Sequence, residues 1–140
     1  MRVVVAAVIE REDRRLLIGQ RRSKDTSPLK WEFPGGKAEQ GETPEKALAR
    51  ELREELGVTL RTAIEIGRGQ HKYAGSDEIL DIRFYAVAIA EREIPPKTFA
   101  RVKWVLPREL GDYDFLAANK ELIAQLATGR IKPGEILAAR

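Results

Sequence analysis

The sequence contains no cysteine and only one histidine, which excludes disulfides and thiolate-bound metal ions. It also lacks any apolar run close to the roughly 20 residues that span a membrane. Its apolar start, Val3 to Ile9, leads into acidic residues without a small-residue cleavage site, which favours a first β-strand over a signal peptide. These absences predict a cytoplasmic protein with no membrane partner.

A strong excess of charge is also missing, since the net charge is only +3. Aromatic residues make up 6% of the chain and do not alternate with a basic stripe, so we expect no stable nucleic-acid binding. A length of 140 residues suits a single domain, which we assign to residues 1–128, with a C-terminal basic tail at 129–140. The sequence leaves a monomer and a homodimer equally open.

The pattern of apolar residues predicts an α+β domain in which helices flank a mixed β-sheet. Two segments have helical signals, and the other apolar segments are typical of strands. The predicted helices are Pro44–Leu56 and Asn119–Leu126, and the predicted strands are Val3–Ile9, Leu16–Ile18, Trp31–Phe33, Val58–Tyr73 (as one or two strands), Ile79–Ala90 and Val102–Leu106.

The first helix has clear ends. Thr43 is a suitable N-cap, Pro44 suits the first helical position, and Gly57 suits the residue after the last turn. Gly35 and Gly36, upstream of this helix, predict a tight turn with positive φ.

Three glutamates crowd one side of this helix. At about 100° per residue, Glu51, Glu54 and Glu55 fall within an arc of roughly 100° beside an apolar stripe of leucines. Like charges at this spacing repel, and a divalent cation such as Mg²⁺ or Mn²⁺ would reverse that effect. The residues alone leave two interpretations open, a metal site and a plain acidic solvent face.

The spacing of the surrounding residues favours the metal site. Gly36 is followed after five residues by Glu42, and after seven more by the run Arg50-Glu51-Leu52, Glu54-Glu55 and Gly57-Val58. This pattern resembles the Nudix box, and a chance match at one start is on the order of 10⁻⁹. The preceding "WEFPGGKAEQGETPEKA" is similar to the MutT-like branch of that family.

The resemblance implies an α/β/α sandwich and a metal-dependent hydrolase that attacks the diphosphate of a nucleotide with water. Glu54 and Glu55 would bind Mg²⁺ or Mn²⁺, together with the Gly35 carbonyl. Glu51 would be a further ligand or the base that orients the water. Arg50 would hold a glutamate in position, and Glu42 would support the loop that precedes the helix.

The resemblance also implies how the base is bound. The expected contacts are Arg22 (less securely Arg21), the segment Glu32, Phe33, Pro34 and Gly35, and Asn119, whose amide offers a donor and an acceptor to a purine. Asn119 is an equally good N-cap for the second helix. We expect Trp31 and Trp104 to serve packing, and the lone His71 to be a structural or surface residue.

One position departs from the branch. A loop glutamate is expected about six residues before Trp104, where this chain has Thr98, so Glu93 is the nearest preceding acid. The predicted activity is hydrolysis of nucleoside triphosphates, such as 8-oxo-dGTP, to the monophosphate and pyrophosphate. The alternatives are a CTP or modified-pyrimidine pyrophosphohydrolase, an ADP-ribose or dinucleoside polyphosphate hydrolase, and an inactive nucleotide-sensing module.

Overall fold

A computed structural model describes residues 1–23, 27–94 and 101–139. Within these ranges the strands are β1 (Arg2–Ile9), β2 (Leu16–Gln20), β3 (Trp31–Glu32), β4 (Gly35–Lys37), β5 (Leu60–His71), β6 (Leu80–Ile89) and β7 (Arg101–Val105). The helices are α1 (Pro44–Leu56), α2 (Lys120–Ala127) and α3 (Pro133–Ala138), with 3-10 turns at Pro107–Asp112 and Ala117–Asn119. No helix among the described residues is long and apolar enough to cross a membrane.

The strands form two sheets. One has the order β4-β1-β6-β5, with β1 parallel to β6 and the other pairs antiparallel. The second, β3-β2-β7, is antiparallel throughout. The predicted mixed sheet between helices is thus confirmed.

Alternation along β1 places two core layers on opposite faces of its sheet. Val5, Ala7 and Ile9 pack in one layer with the α1 leucines. Ala6 and Val8 pack in the other with the apolar face of α2. The sheet is therefore covered by α1 on one side and by α2 on the other.

Helix α1 has the predicted ends. The Thr43 side chain accepts a hydrogen bond from the Lys46 N–H at 3.2 Å, and Gly57 adopts the left-handed conformation with φ 70°. These local signals act within one helical turn, so they set both ends without help from the rest of the fold.

The two glycines before α1 do not form the predicted turn. They lie in β4, paired with β1, and of the two only Gly35 has a positive φ. A Cβ at Gly35 would overlap the carbonyl oxygen of Val5, so glycine is needed here for close approach of two strands.

The C-terminal segment is also different from the prediction. Residues 129–139, expected to form a tail, contain α3, which packs against β5 and β6. Pro133 is buried, and the Gly134 N–H donates to Glu10 Oε1 at 3.3 Å. These contacts are made with residues far away in sequence. The local pattern of residues therefore did not predict that this segment packs on the domain.

Candidate active site

Arg50 connects the acidic residues of the box. Its Nε and Nη2 donate to the two carboxylate oxygens of Glu42 at 2.8 and 2.9 Å. Its Nη1 donates to Glu51 at 3.0 Å and to Glu54 at 3.2 Å, and Nη2 also reaches the carbonyl oxygen of Lys37 at 3.1 Å. The planar guanidinium thereby fixes the orientation of the acids around it.

Glu55 and Glu51 also contact the two glycines of β4. The Gly35 N–H donates to Glu55 Oε1 at 2.8 Å. The Glu51 carboxylate lies directly over Gly36, in the space that a side chain at that position would occupy. Strand β4 and helix α1 therefore hold the two carboxylates close to the backbone.

The pKa values of the acids are shifted in different directions. Burial, followed by the charge of Glu32, raises the pKa of Glu55 to about 8. Burial also raises the pKa of Glu51, against the effect of Arg50. Hydrogen bonds from Arg50 instead lower the pKa of Glu42 to about 2. Glu42 is thus ionised and paired with Arg50. Glu51 and Glu55 are partly buried, and nearby positive charge does not offset the effect of burial on their pKa values.

This donor set fits a hard divalent cation. Within the described ranges no three acidic side chains converge closely enough to enclose an ion. Glu51 and Glu55 nevertheless offer carboxylate oxygens, the ligands that Mg²⁺ and Mn²⁺ prefer, at a place where burial disfavours negative charge. Glu54 is exposed and would have to turn from Arg50 to join them.

A cavity of about 690 Å³ is lined at the box by Glu55, Gly35 and Gly36, and we call it the central cavity. Its floor is apolar and comes from β1 and β6. Its walls come from β4, from the residues next to β2 and β3, from the 3-10 turn before α2, and from residues 72–79, the β5–β6 loop. The residues that line it include Arg21, Glu32, Phe33, Gly35, Glu55, Tyr73, Ala118 and Asn119.

Several predicted base contacts meet in the central cavity. Glu32, Phe33, Gly35 and Asn119 all line it, but Pro34 is not among its lining residues in the described chain. Phe33 is also a core residue, 2% exposed and 5.5 Å from the ring of Phe115. Four of the six predicted base contacts therefore line one cavity, although Asn119 is distant from the others in the chain.

The arginine that lines the cavity is Arg21, whereas the sequence favoured Arg22. Arg21, the less secure alternative, lines the cavity and contacts Glu32 Oε2 through Nη1 at 2.8 Å. Arg22 is not among the lining residues of the described chain. Consecutive residues near a strand end point to opposite sides, which explains how a shift of one position changes the residue that faces the cavity.

Asn119 is a pocket residue and not a side-chain cap. It stands at the N-cap position of α2, but its backbone is already helical and its side chain makes no capping hydrogen bond. The side chain is 6% exposed, and its Oδ1 has no hydrogen-bond partner among the described residues. An unpaired buried acceptor in a cavity wall is available for a ligand N–H.

The remaining predictions concern packing and the loop acid. Trp31 is buried against Tyr113, and Trp104 packs at the core, as predicted. Thr98 lies outside the described residues. Glu93 is exposed and is not among the residues that line the central cavity in the described chain.

Sequence reasoning missed Tyr73, which lines the cavity beside Ala118 and Asn119. Its ring makes an edge contact with His71, with centroids 4.3 Å apart. The two residues are two positions apart at the end of β5, so an extended chain places them on one side. The spacing of two residues between His71 and Tyr73 was the signal in the sequence.

Comparison with known proteins gives concordant matches. The model of the NUDIX domain family matches residues 1–126. The 8-oxo-dGTP diphosphatase of Escherichia coli is 32% identical over 123 residues, covering 88% of this chain and 94% of the relative. The CTP pyrophosphohydrolase of Escherichia coli is 32% identical over 133 residues, covering 94% and 96%. A MutT structure from work on Aliivibrio salmonicida and Vibrio cholerae superposes with a TM-score of 0.76 at 28% identity, covering 91% and 98%.

The α/β/α fold, the box helix and the adjoining cavity define a hydrolase. The chain belongs to the NUDIX domain family and is a MutT-like Nudix hydrolase.

Proposed function

We propose that this enzyme hydrolyses nucleoside triphosphates to the monophosphate and pyrophosphate with a divalent cation, and that it prefers oxidised guanine nucleotides such as 8-oxo-dGTP. The observation that carries the proposal is the central cavity, which has Glu55 and Gly35 at one end and Asn119 in its wall. A single nucleotide can therefore lie with its phosphates at the box and its base at Asn119.

The box supplies the chemistry in this proposal. Glu51, Glu54 and Glu55, with the Gly35 carbonyl, would hold Mg²⁺, which neutralises phosphate charge and lowers the pKa of bound water. Burial raises the pKa of Glu51, which makes this carboxylate a better proton acceptor than an exposed glutamate. Arg50 keeps Glu51 in place through its 3.0 Å hydrogen bond.

The base end favours a ligand with an N–H donor. Asn119 Oδ1 is a buried acceptor without a partner, and guanine offers N–H groups on its edge. The ring of Phe33 lines the same cavity and provides an apolar surface for a base. Similarity to an 8-oxo-dGTP diphosphatase over 94% of its length supports the same substrate class.

A CTP pyrophosphohydrolase is the second candidate. The relative of that name has the same identity and covers slightly more of this chain. The exocyclic amine of cytosine is also a donor for Asn119 Oδ1. The base, and not the phosphate chemistry, is what separates the two candidates.

A nucleotide panel tests the proposal. With Mg²⁺ present, we expect release of pyrophosphate and not phosphate, with the highest kcat/KM for 8-oxo-dGTP among 8-oxo-dGTP, dGTP, CTP and ADP-ribose. A highest value for CTP would select the second candidate. Hydrolysis of ADP-ribose alone, or of nothing in the panel, would contradict both.

Two variants test the hydrolytic site and the recognition of the base separately. Glu55→Gln keeps the shape of the side chain and should abolish most turnover on every nucleotide while the protein stays folded. Asn119→Ala should bring the kcat/KM values for different bases closer together. It should have a smaller effect on the rate of pyrophosphate release that all nucleotides share. Near wild-type turnover by Glu55→Gln would contradict the metal site, and an equal loss on all bases with Asn119→Ala would reassign Asn119 to structure.

A further inference from the structure

Tyr73 occupies a distinctive place in the central cavity. It begins the cavity-lining part of the β5–β6 loop, is partly buried, and lines the cavity together with Ala118 and Asn119. The His71 ring meets it edge-on, with an interplanar angle of 66°. The phenol is therefore supported from outside and presents one surface to the cavity.

The surroundings of the hydroxyl define its hydrogen-bonding role. Burial raises the pKa of Tyr73, although the backbone N–H of Ala118 acts on the phenolic oxygen in the opposite direction. The hydroxyl thus keeps its proton at neutral pH. A protonated phenol can donate one hydrogen bond, so Tyr73 can donate to an acceptor on a ligand in the cavity that it lines.

We propose that Tyr73 is a specificity-determining residue of the central cavity, whose hydroxyl donates to an acceptor on the nucleobase while Asn119 Oδ1 accepts from a donor on the same base. This inference rests on the proposed function, because it takes the cavity to be the base site. Its observations are the shared lining of Tyr73 and Asn119 and the unpaired, buried Oδ1.

A donor and an acceptor that contact the same base distinguish bases by the order of their polar groups. Guanine presents an acceptor at O6 beside a donor at N1, and cytosine a donor at N4 beside an acceptor at N3. In a given orientation only one order satisfies both protein groups. A base with the other order leaves a polar group unpaired, which weakens its binding.

The test uses the full chain and compares Tyr73→Phe with Tyr113→Phe. Tyr113 is a matched control because it is also partly buried but packs on Trp31 and is not among the described lining residues of the cavity. Calorimetric titration of each folded variant with dGMP and with CMP gives two dissociation constants and their ratio. The melting temperature of each variant verifies that it is folded.

We expect the wild type to prefer one monophosphate and Tyr73→Phe to reduce that preference by about three- to tenfold, the effect of one hydrogen bond. Tyr113→Phe should keep the wild-type ratio. An unchanged ratio in Tyr73→Phe, an equal weakening of both nucleotides, or equal wild-type affinity for both would each overturn the inference.

Steady-state kinetics on the same variants distinguishes this inference from the proposed function. If Tyr73 controls the binding preference but the wild type releases no pyrophosphate from any triphosphate, the specificity role stands and the proposed reaction is wrong. If triphosphates are hydrolysed and Tyr73→Phe leaves the ratio of kcat/KM values between bases unchanged, the reaction stands and the specificity role is wrong.

Discussion

The Glu51 carboxylate lies over Gly36 so closely that a Cβ at this glycine would be 2.5 Å from the carboxyl carbon and 2.6 Å from each oxygen. The absence of a side chain in β4 thus creates the space in which this acid sits. Since Arg50 holds the same carboxylate from the other side, Glu51 has little room to move.

Gly36→Ala should displace Glu51 and impair catalysis while the fold remains. Because a misplacement of about 1 Å in a reacting group costs about a hundredfold in rate, we expect kcat/KM to fall by a factor between about 10 and 100. The measurement is steady-state pyrophosphate release. Gly69→Ala is the control, since a Cβ there has nothing within 4 Å, and it should keep wild-type activity. Wild-type kinetics for Gly36→Ala would contradict the placement of Glu51.

Arg50→Lys should lower activity although it preserves the charge. One ammonium group cannot reproduce the two hydrogen bonds to Glu42 together with those to Glu51 and Glu54. Loss of a residue that orients ligands typically costs about 10- to 100-fold, which we expect in kcat/KM at fixed Mg²⁺. Arg53→Lys, on an exposed part of the same helix, is the control. Equal rates for the two variants would show that Arg50 provides charge alone.

Acid should remove a specific part of the stability through Glu42. Its folded-state pKa, about 2, lies below the ordinary value of 4.5, so the ionised form stabilises the fold above about pH 4.5 and this contribution disappears as the pH falls towards 2. Glu42→Gln should therefore be less stable than wild type at neutral pH, and the difference should shrink with acid. Urea midpoints across this pH range measure it, and a constant difference would contradict the role of Glu42.

Gly134→Ala should destabilise the C-terminal helix. A Cβ at this position would overlap the Glu10 carboxylate, which must move away and lose the hydrogen bond from the Gly134 N–H, at a cost of about 0.5–1.5 kcal/mol in the free energy of unfolding. In a Glu10→Ala background the cost should largely disappear, and chemical denaturation of all four proteins gives this coupling. Additive effects would indicate that Gly134 and Glu10 do not meet. Gly111→Ala, where a Cβ has nothing within 4 Å, is the control.

Local signals made parts of this fold predictable. Thr43, Pro44 and Gly57 define α1 through contacts within one turn, and the predicted bounds agree with the structure. The segment Val58–Tyr73, predicted as one or two strands, contains the single strand β5, which includes Gly67 and Gly69 and pairs with β6 with two register shifts. Tertiary pairing overrode a local preference in that case.

The rest depended on contacts between distant parts of the chain. Whether Arg21 or Arg22 faces the cavity is decided by the exact end of β2. The segment around Gly134 folds onto the domain because it meets Glu10, 124 positions earlier. Asn119 had two plausible roles in the sequence, and only its burial without a capping bond separates them. Patterns of residue types do not contain such information.

Strand β1 lies between the strand that carries the box glycines and the strand that forms part of the cavity floor. It pairs on one side with β4, which carries the glycines at the box, and on the other with β6, whose Leu80 and Ile82 form part of the floor. The spacing between the hydrolytic end and the floor is therefore set by strand register. Tyr73, in contrast, is carried by a loop. On the proposed role of Tyr73, changes in that loop should alter the base preference while the hydrogen bonds of Arg50 to Glu42, Glu51 and Glu54 stay intact.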